Sequence, residues 1–320
     1  MRATDGPPPP PALRLAVPAK VNLALHVLGR RESGYHELQS LVAFAAVTDG
    51  DEVTVRFSPP DRERSDDRPP RTPDFVVGGP FAGNVPHGAE NLAVAAARLC
   101  PEIAAVHLTK GLPVAAGIGG GSADAAAVLR AAAIHRGIAA SDFAADGLSL
   151  GADIPVCLDG RPSIMEGIGE VLRPAELPPV AGILVNPGVP LATADVFRAL
   201  RKRDNPRFEM PPLADAGALC DWLAGTRNDL EAPARACCTD IDAVLNAVAA
   251  TEGCALARMS GSGPTVFGLF PDAAARDAAV ARLAAAAPSR WWIRAVRFAG
   301  SADGLPPAVE MDDGALAPAG

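Results

Sequence analysis

Between residues 117 and 121 every position but Ile118 is glycine, and the run passes through Ser122, Ala123 and Asp124 into an alanine-rich segment that reads as a helix. Glycine has no Cβ, so such a run lets backbone N–H groups approach an anion closely. The N-terminus of the helix that follows adds about half a positive charge, and phosphate binding follows on physical grounds. Two commoner phosphate loops are excluded. One needs a lysine in G-x-x-x-x-G-K-[ST], and none lies here; the other needs G-x-G-x-x-G, and Ser122 stands where its last glycine belongs. Taken alone, the run also fits a tight strand-to-helix turn with Ser122 as cap and Asp124 in the first turn complementing the helix dipole. A further reading has Asp124 reaching a Mg2+ held by the phosphates.

Composition narrows the class. A chain of 320 residues suggests about two domains and a sizeable core, since chains near that length bury about 75% of their unfolded surface. A net charge of −8 and a pI near 5.2 argue against a nucleic-acid partner, which needs clustered Lys and Arg to neutralise phosphates. The six cysteines include no C-x-x-C pair and read as free thiols of a reduced, cytoplasmic compartment. Residues 1–11 lack the apolar stretch of a signal peptide, and the most apolar uncharged stretch, Leu177 to Ala194, is interrupted by Pro178, Pro179, Pro187 and Pro190; no membrane association is expected. His26, His87, His107 and His135 share no metal-ligand spacing and read as structural or surface residues.

Apolar patterning places strands at Leu13–Val17, Val21–Leu28 and Leu38–Val47, and a half-buried edge strand where Val53, Val55 and Phe57 alternate with polar residues. Ser58 to Pro73 reads as a mobile surface loop. Helices are expected over Asn91–Leu99 and Ala123–His135, with strand Ile103–Thr109 between them. Beyond Pro155 the expected elements are strand Gly182–Val185, helices near Asp195–Leu200, at Asp215–Ala224 and at Ile241–Ala250, strand Thr265–Phe270, helix Ala273–Ala286 and strand Trp291–Phe298. The whole predicts an α+β fold, with disordered tails at 1–11 and 301–320.

The stretch Pro113-Val114-Ala115-Ala116-Gly117-Ile118-Gly119-Gly120-Gly121-Ser122-Ala123 resembles the phosphate loop of the GHMP small-molecule kinases. Pro18-Ala19-Lys20-Val21-Asn22, Gly34-Tyr35-His36, Gly151-Ala152-Asp153-Ile154-Pro155 and Met259-Ser260-Gly261-Ser262-Gly263-Pro264-Thr265 extend the resemblance, in order and spacing, over residues 13–300. With the G-Y-H and G-A-D-I-P motifs the chain is similar to the branch acting on 4-diphosphocytidyl-2-C-methylerythritol in the non-mevalonate route to isoprenoid precursors.

That resemblance implies a two-domain kinase with an ATP-binding part over 12–163, a substrate-side part over 164–300 and the active site in the cleft between them. It implies ATP as donor with Mg2+, a cytidyl diphosphate as small-molecule substrate, transfer to its 2-hydroxyl, and a monomer or weak homodimer. Lys20 and Asp153 become the catalytic pair, the Asp accepting the hydroxyl proton and the ammonium holding it ionised. Asn22, two residues from Lys20 on one strand face, would bind substrate. Tyr35 and His36 would contact the cytosine, with Thr193 and Phe197 supplying a hydroxyl and a second aromatic. Lys110 and Asn91 would fall near the adenine. By their residues alone, Asp153 also fits a turn cap and Lys20 an ammonium at a strand edge. Two alternatives stand beside this: another kinase of the superfamily, of mevalonate or homoserine type, and a non-catalytic nucleotide-binding protein on the same fold.

Overall fold

The computed structural model describes residues 12–58, 72–298, 300 and 305–311. The first half contains β1 (Ala12–Val17), β2 (Ala19–Arg30), β3 (His36–Val47), β4 (Asp51–Phe57), β5 (Asp74–Gly78), α1 (Leu92–Arg98), β6 (Ile103–Thr109), α2 (Gly120–Arg136), α3 (Ala144–Leu150) and α4 (Ile154–Asp159). There follow β7 (Ser163–Gly167), β8 (Val171–Pro174), β9 (Val180–Asn186), α5 (Thr193–Ala199), α6 (Ala216–Ala224), α7 (Glu231–Cys237) and α8 (Asp240–Ala249). The last elements are β10 (Leu256–Met259), β11 (Val266–Phe270), α9 (Ala273–Ala286), β12 (Trp292–Phe298) and β13 (Val309–Met311).

The strands form two sheets. The smaller runs β13-β1-β4-β6-β5, with only β5 and β6 parallel, and the larger runs β10-β11-β9-β12-β3-β7-β8, with β2 paired to β3 outside that order. Because β3 bonds to β2, β7 and β12, the larger sheet joins early and late parts of the chain. Hydrogen bonding therefore crosses the boundary expected at 163/164.

Helix α2 is the centre of the first half. Its alanines favour helix, and their small size lets it sit with Ala125, Ala126, Val128, Leu129 and Ala132 buried against α1, α4, β1 and β4. Leu15, Val53, Val55 and Phe57 complete that core. Asn91 caps α1 by accepting from the N–H groups of Ala93 and Val94, and Asp215 and Asp272 cap α6 and α9. Further cores fill the second half: Leu184, Leu219, Phe267 and Phe298 in one, Ile183, Val185, Val244 and Leu283 in the other.

Three local expectations are corrected. β4 is an interior strand between β1 and β6, not an edge strand; Asp51, Val53, Val55 and Phe57 are buried on one face while Glu52 and Arg56 are half-buried beside a buried Thr54 on the other, so the alternation reported burial and not position in the sheet. Val309–Met311, expected within a disordered tail, pairs with β1. The glycine run is not capped by Ser122: α2 starts inside the run at Gly120, behind a left-handed Gly119 (φ 65°), and Asp124 is a buried ion-pair partner, not an exposed first-turn acid. The expected tail at 1–11, most of that expected at 301–320, and residues 59–71 of the expected Ser58–Pro73 loop lie outside the described residues. No helix among the described residues is long and apolar enough to cross a membrane.

Candidate active site

The glycine run forms a turn between β6 and α2 that packs against β2 on one side and the 260–263 loop on the other. Lys20 N–H donates to the Ile118 carbonyl at 3.0 Å, and Thr265 N–H donates to that of Ala116 at 3.2 Å. Two positions require glycine. A Cβ at Gly119 would stand 2.8 Å from Lys20 Cε, and one at Gly117 (φ 72°) would stand 2.5 Å from the Ser260 carbonyl oxygen. The N–H groups of Gly120, Gly121 and Ser122 precede the first hydrogen bond of the 17-residue α2, which runs from Ala123 N–H to the Gly119 carbonyl at 2.9 Å. A cavity of about 580 Å3 opens over this turn, its wall including Lys20, Asn22, Gly119, Gly120, Gly121, Ser122 and Asp153. The arrangement suits a phosphate chain: backbone donors at a helix N-terminus, no obstructing Cβ, and a cationic side chain alongside.

Lys20 Nζ is 2.8 Å from Asp153 Oδ2. The lysine side chain is 4% exposed and the carboxylate 31%, so the ammonium is held under a carboxylate that faces the cavity. Lys20 also donates to Asn22 Oδ1 at 2.9 Å, whose Nδ2 donates to Ser40 Oγ at 2.7 Å, which donates in turn to the Ala24 carbonyl at 2.8 Å. The strand alternation that puts residues 20 and 22 on one face thus orients the ammonium through Asn22. Asp153 stands at the N-cap position of α4 but makes no side-chain cap bond, so its carboxylate is not spent on the helix end. The pair sets a carboxylate on the cavity wall with an ammonium 2.8 Å from it, an arrangement able to accept a proton from a hydroxyl in the cavity.

Ser260 binds three elements together. Its fully buried hydroxyl accepts from Asn22 N–H at 3.1 Å and donates to the Gly117 carbonyl at 2.8 Å. Asn228 fixes the same loop from behind, donating to the carbonyls of Met259 and Gly261 at 2.8 Å each.

The residues expected at the base are dispersed. Thr193 and Phe197, both on α5, line the cavity, and Thr193 Oγ1 lies 2.8 Å from Ser262 Oγ. Phe197 stacks on His36, ring centres 4.7 Å apart and planes 24° from parallel. His36 Nε2 is buried with no hydrogen-bond partner among the described residues. Burial, helped by Arg203 and Arg30, lowers the His36 pKa below its ordinary value. Tyr35 stands apart at the β2–β3 turn, 64% exposed and off the cavity wall. Both residues expected near the adenine line the cavity, Asn91 beside Val85 and Pro86, and Lys110 with its ammonium bound to Asp51 and Asp124. Burial pushes the Asp124 carboxyl up to about 7, Lys110 opposing the rise and Asp51 adding to it.

Sequence reasoning missed Asp51, Ser40 and Asn228. Asp51 carried a signal, since a carboxylate heading an apolar strand requires partners if it is covered. Nothing local marks the other two, whose partners are more than fifteen residues away.

Similarity to known proteins follows the same geometry. The model for the GHMP kinases N terminal domain matches residues 90–161, and that for the GHMP kinases C terminal matches 210–289. The 4-diphosphocytidyl-2-C-methyl-D-erythritol kinase of Dinoroseobacter shibae is 48% identical over 280 residues, covering 86% of this chain and 91% of that protein. The enzyme of the same name from Paramagnetospirillum magneticum is also 48% identical, over 87% of this chain and 96% of its own. A crystal structure of 4-(cytidine 5'-diphospho)-2C-methyl-D-erythritol kinase superposes with a TM-score of 0.65 at 33% identity, covering 88% of this chain and 98% of that one. A homoserine kinase from Cytophaga hutchinsonii shares the fold, with a TM-score of 0.61 at 18% identity over 97% and 99% of the two chains.

Proposed function

The chain belongs to the 4-diphosphocytidyl-2-C-methyl-D-erythritol kinases, a branch of the GHMP kinases, and from that premise we propose that Asp153 is the base and Lys20 its partner in transfer to the substrate's 2-hydroxyl. The activity is that of an ATP-dependent small-molecule kinase acting in isoprenoid precursor synthesis. The observation that carries the proposal is the 2.8 Å Lys20–Asp153 pair in the cavity wall, beside the glycine turn.

Asp153 takes the proton of the attacking hydroxyl as its oxygen bonds to the γ-phosphorus and the bond from that phosphorus to the bridging oxygen of ADP breaks. Lys20, kept in place by Asn22, pairs with Asp153 and offsets the negative charge developing on the hydroxyl oxygen. The Gly117–Gly121 backbone and the α2 N-terminus orient the phosphates for in-line attack. ATP supplies the phosphoryl group, and a Mg2+ ion bound with it would supply charge neutralisation at the phosphate oxygens.

The described residues hold no cluster of three or more His, Cys, Asp or Glu suited to a metal. Ser122 and Asp153 offer the hard oxygen donors Mg2+ takes from a cavity wall. On the substrate side, the His36–Phe197 stack and the unpartnered His36 Nε2 suit a base that needs both a π face and an edge partner. Thr193 and Asn22 line the cavity with the catalytic pair, Asn22 with its amide bonded to Lys20 and Ser40, and Tyr35 stands exposed off the cavity wall. A soluble cytoplasmic protein without nucleic-acid partners suits this role.

The test is ADP release with ATP and Mg2+, offering 4-diphosphocytidyl-2-C-methylerythritol beside mevalonate and homoserine. Turnover on the cytidyl substrate alone is expected. Turnover on mevalonate or homoserine in its place would overturn the substrate assignment.

A further inference from the structure

The proposed mechanism leaves three buried ionisable groups unused. Asp51, Lys110 and Asp124 are each no more than 3% exposed, and they meet beneath the start of α2. Lys110 donates to Asp51 Oδ2, and at 2.6 Å to Asp124 Oδ2. The other oxygen of Asp51 accepts from the N–H groups of Gly111 and Leu112, both at 2.8 Å. The placement along the chain is what matters. Residues 110–112 lead into the glycine turn, Asp124 lies one helical turn beyond it, and Asp51 belongs to a different strand. Both ends of the turn are thus tied to one point.

Stability alone does not account for such a cluster. Bringing three charges out of water is costly, and an apolar replacement of similar volume is often as stable or more so. Burial works against the Lys110 ammonium, but the Asp124 and Asp51 carboxylates outweigh it and hold its pKa above the ordinary value. What charged groups add over apolar ones is direction: each bond fixes one backbone segment relative to another. A turn whose ends are fixed before the ligand arrives loses less freedom on binding it.

We propose that Asp51, Lys110 and Asp124 form a positioning unit that staples the two ends of the glycine turn and thereby sets the affinity for the phosphates of ATP. None of the three is a catalytic residue. The proposal rests on reading Gly117–Gly121 as the phosphate cradle.

ATP affinity by calorimetry, with KM for each substrate and kcat, tests it in the wild-type protein, in Asp124→Asn and in the triple variant Asp51→Asn/Lys110→Met/Asp124→Asn. Lys110→Met alone would strand two carboxylates together and can fail to fold; the triple variant leaves only neutral groups of similar size. Both variants are expected to weaken ATP by about tenfold or more, the worth of a hydrogen bond to a charged group, with the KM for the alcohol substrate within about twofold of wild type. The triple variant should do so without a lower thermal midpoint. A purely structural role would reduce the active fraction, and so kcat, without moving ATP affinity. Wild-type protein that fails to bind ATP would overturn the cradle reading and the staple with it; wild-type binding matched by both folded variants would overturn the staple alone. Hydrogen exchange on the wild-type protein decides the matter even if neither variant folds. The amides of residues 111–112 and 120–124 should gain protection together on adding ATP, and gain confined to one end would contradict the staple.

Discussion

Lys20 is covered on nearly every side, and its charge is accepted by one carboxylate and one amide oxygen. A lysine so placed is not exchangeable with arginine, whose larger planar head would displace both partners. His36 matters at the same scale in a different way. Its pKa lies below the ordinary 6.5, so the ring stays neutral through physiological pH with one nitrogen as donor and one as acceptor. The KM for the cytidyl substrate should accordingly be flat above pH 6.5 and rise only as His36 gains a proton at lower pH. His36→Ala should raise that KM about tenfold, matching the ~1–3 kcal/mol of base stacking, with kcat nearly kept. A KM that titrates above pH 7, or is unchanged in the variant, would remove His36 from the base site. That Lys20, Asp153 and Asn22 would stand together was legible through the resemblance; by the residues alone Asp153 also fitted a turn cap and Lys20 a strand edge, because a single polar residue in an apolar stretch does not name its partner. Tyr35 was singled out by the scarcity of tyrosine, which carries no geometry, and its ring projects from the β2–β3 turn, 64% exposed.

Between elements, the deciding contacts are backbone to backbone. Strand β2, the glycine turn and the 260–263 loop approach so closely that a Cβ at Gly117 or Gly119 has no room, and Ser260 supplies the side-chain link among them. Ser260→Ala leaves the Asn22 N–H and the Gly117 carbonyl without that partner in a buried place, at a cost of ~1–3 kcal/mol for each group left unsatisfied. The variant should therefore lose thermal stability and kcat together, measured by melting and steady-state kinetics, while retaining its substrate preference. Full kcat with an unchanged melting point would show that the link is dispensable. Helix and strand positions were mostly readable from periodicity and caps, including the α9 limits and strand β6. The short helices α3, α4 and α7 were not, because one or two turns give too little periodicity to separate from a loop. Strand β13 was hidden for a similar reason, its three residues lying in a polar, proline-rich context.

At the scale of the molecule, the site is assembled from distant parts of the chain: Lys20 near the start, the glycine turn and Asp153 in the middle, Thr193 and Ser260–Ser262 later. The larger sheet makes this possible, since β2 and β3 are hydrogen-bonded into the same layer as β9, β11 and β12. Motif order along the sequence announced which residues would meet but not the sheet that brings them together, because strand pairing between distant segments leaves no local mark. The central claim is that Asp153, held by Lys20, takes the hydroxyl proton. It is tested most directly by kcat and ATP affinity in Asp153→Asn, a change that keeps the shape of the side chain and removes its charge. A fall in kcat of at least ~10²-fold with ATP affinity retained is the expected result; turnover at the wild-type rate would contradict the account.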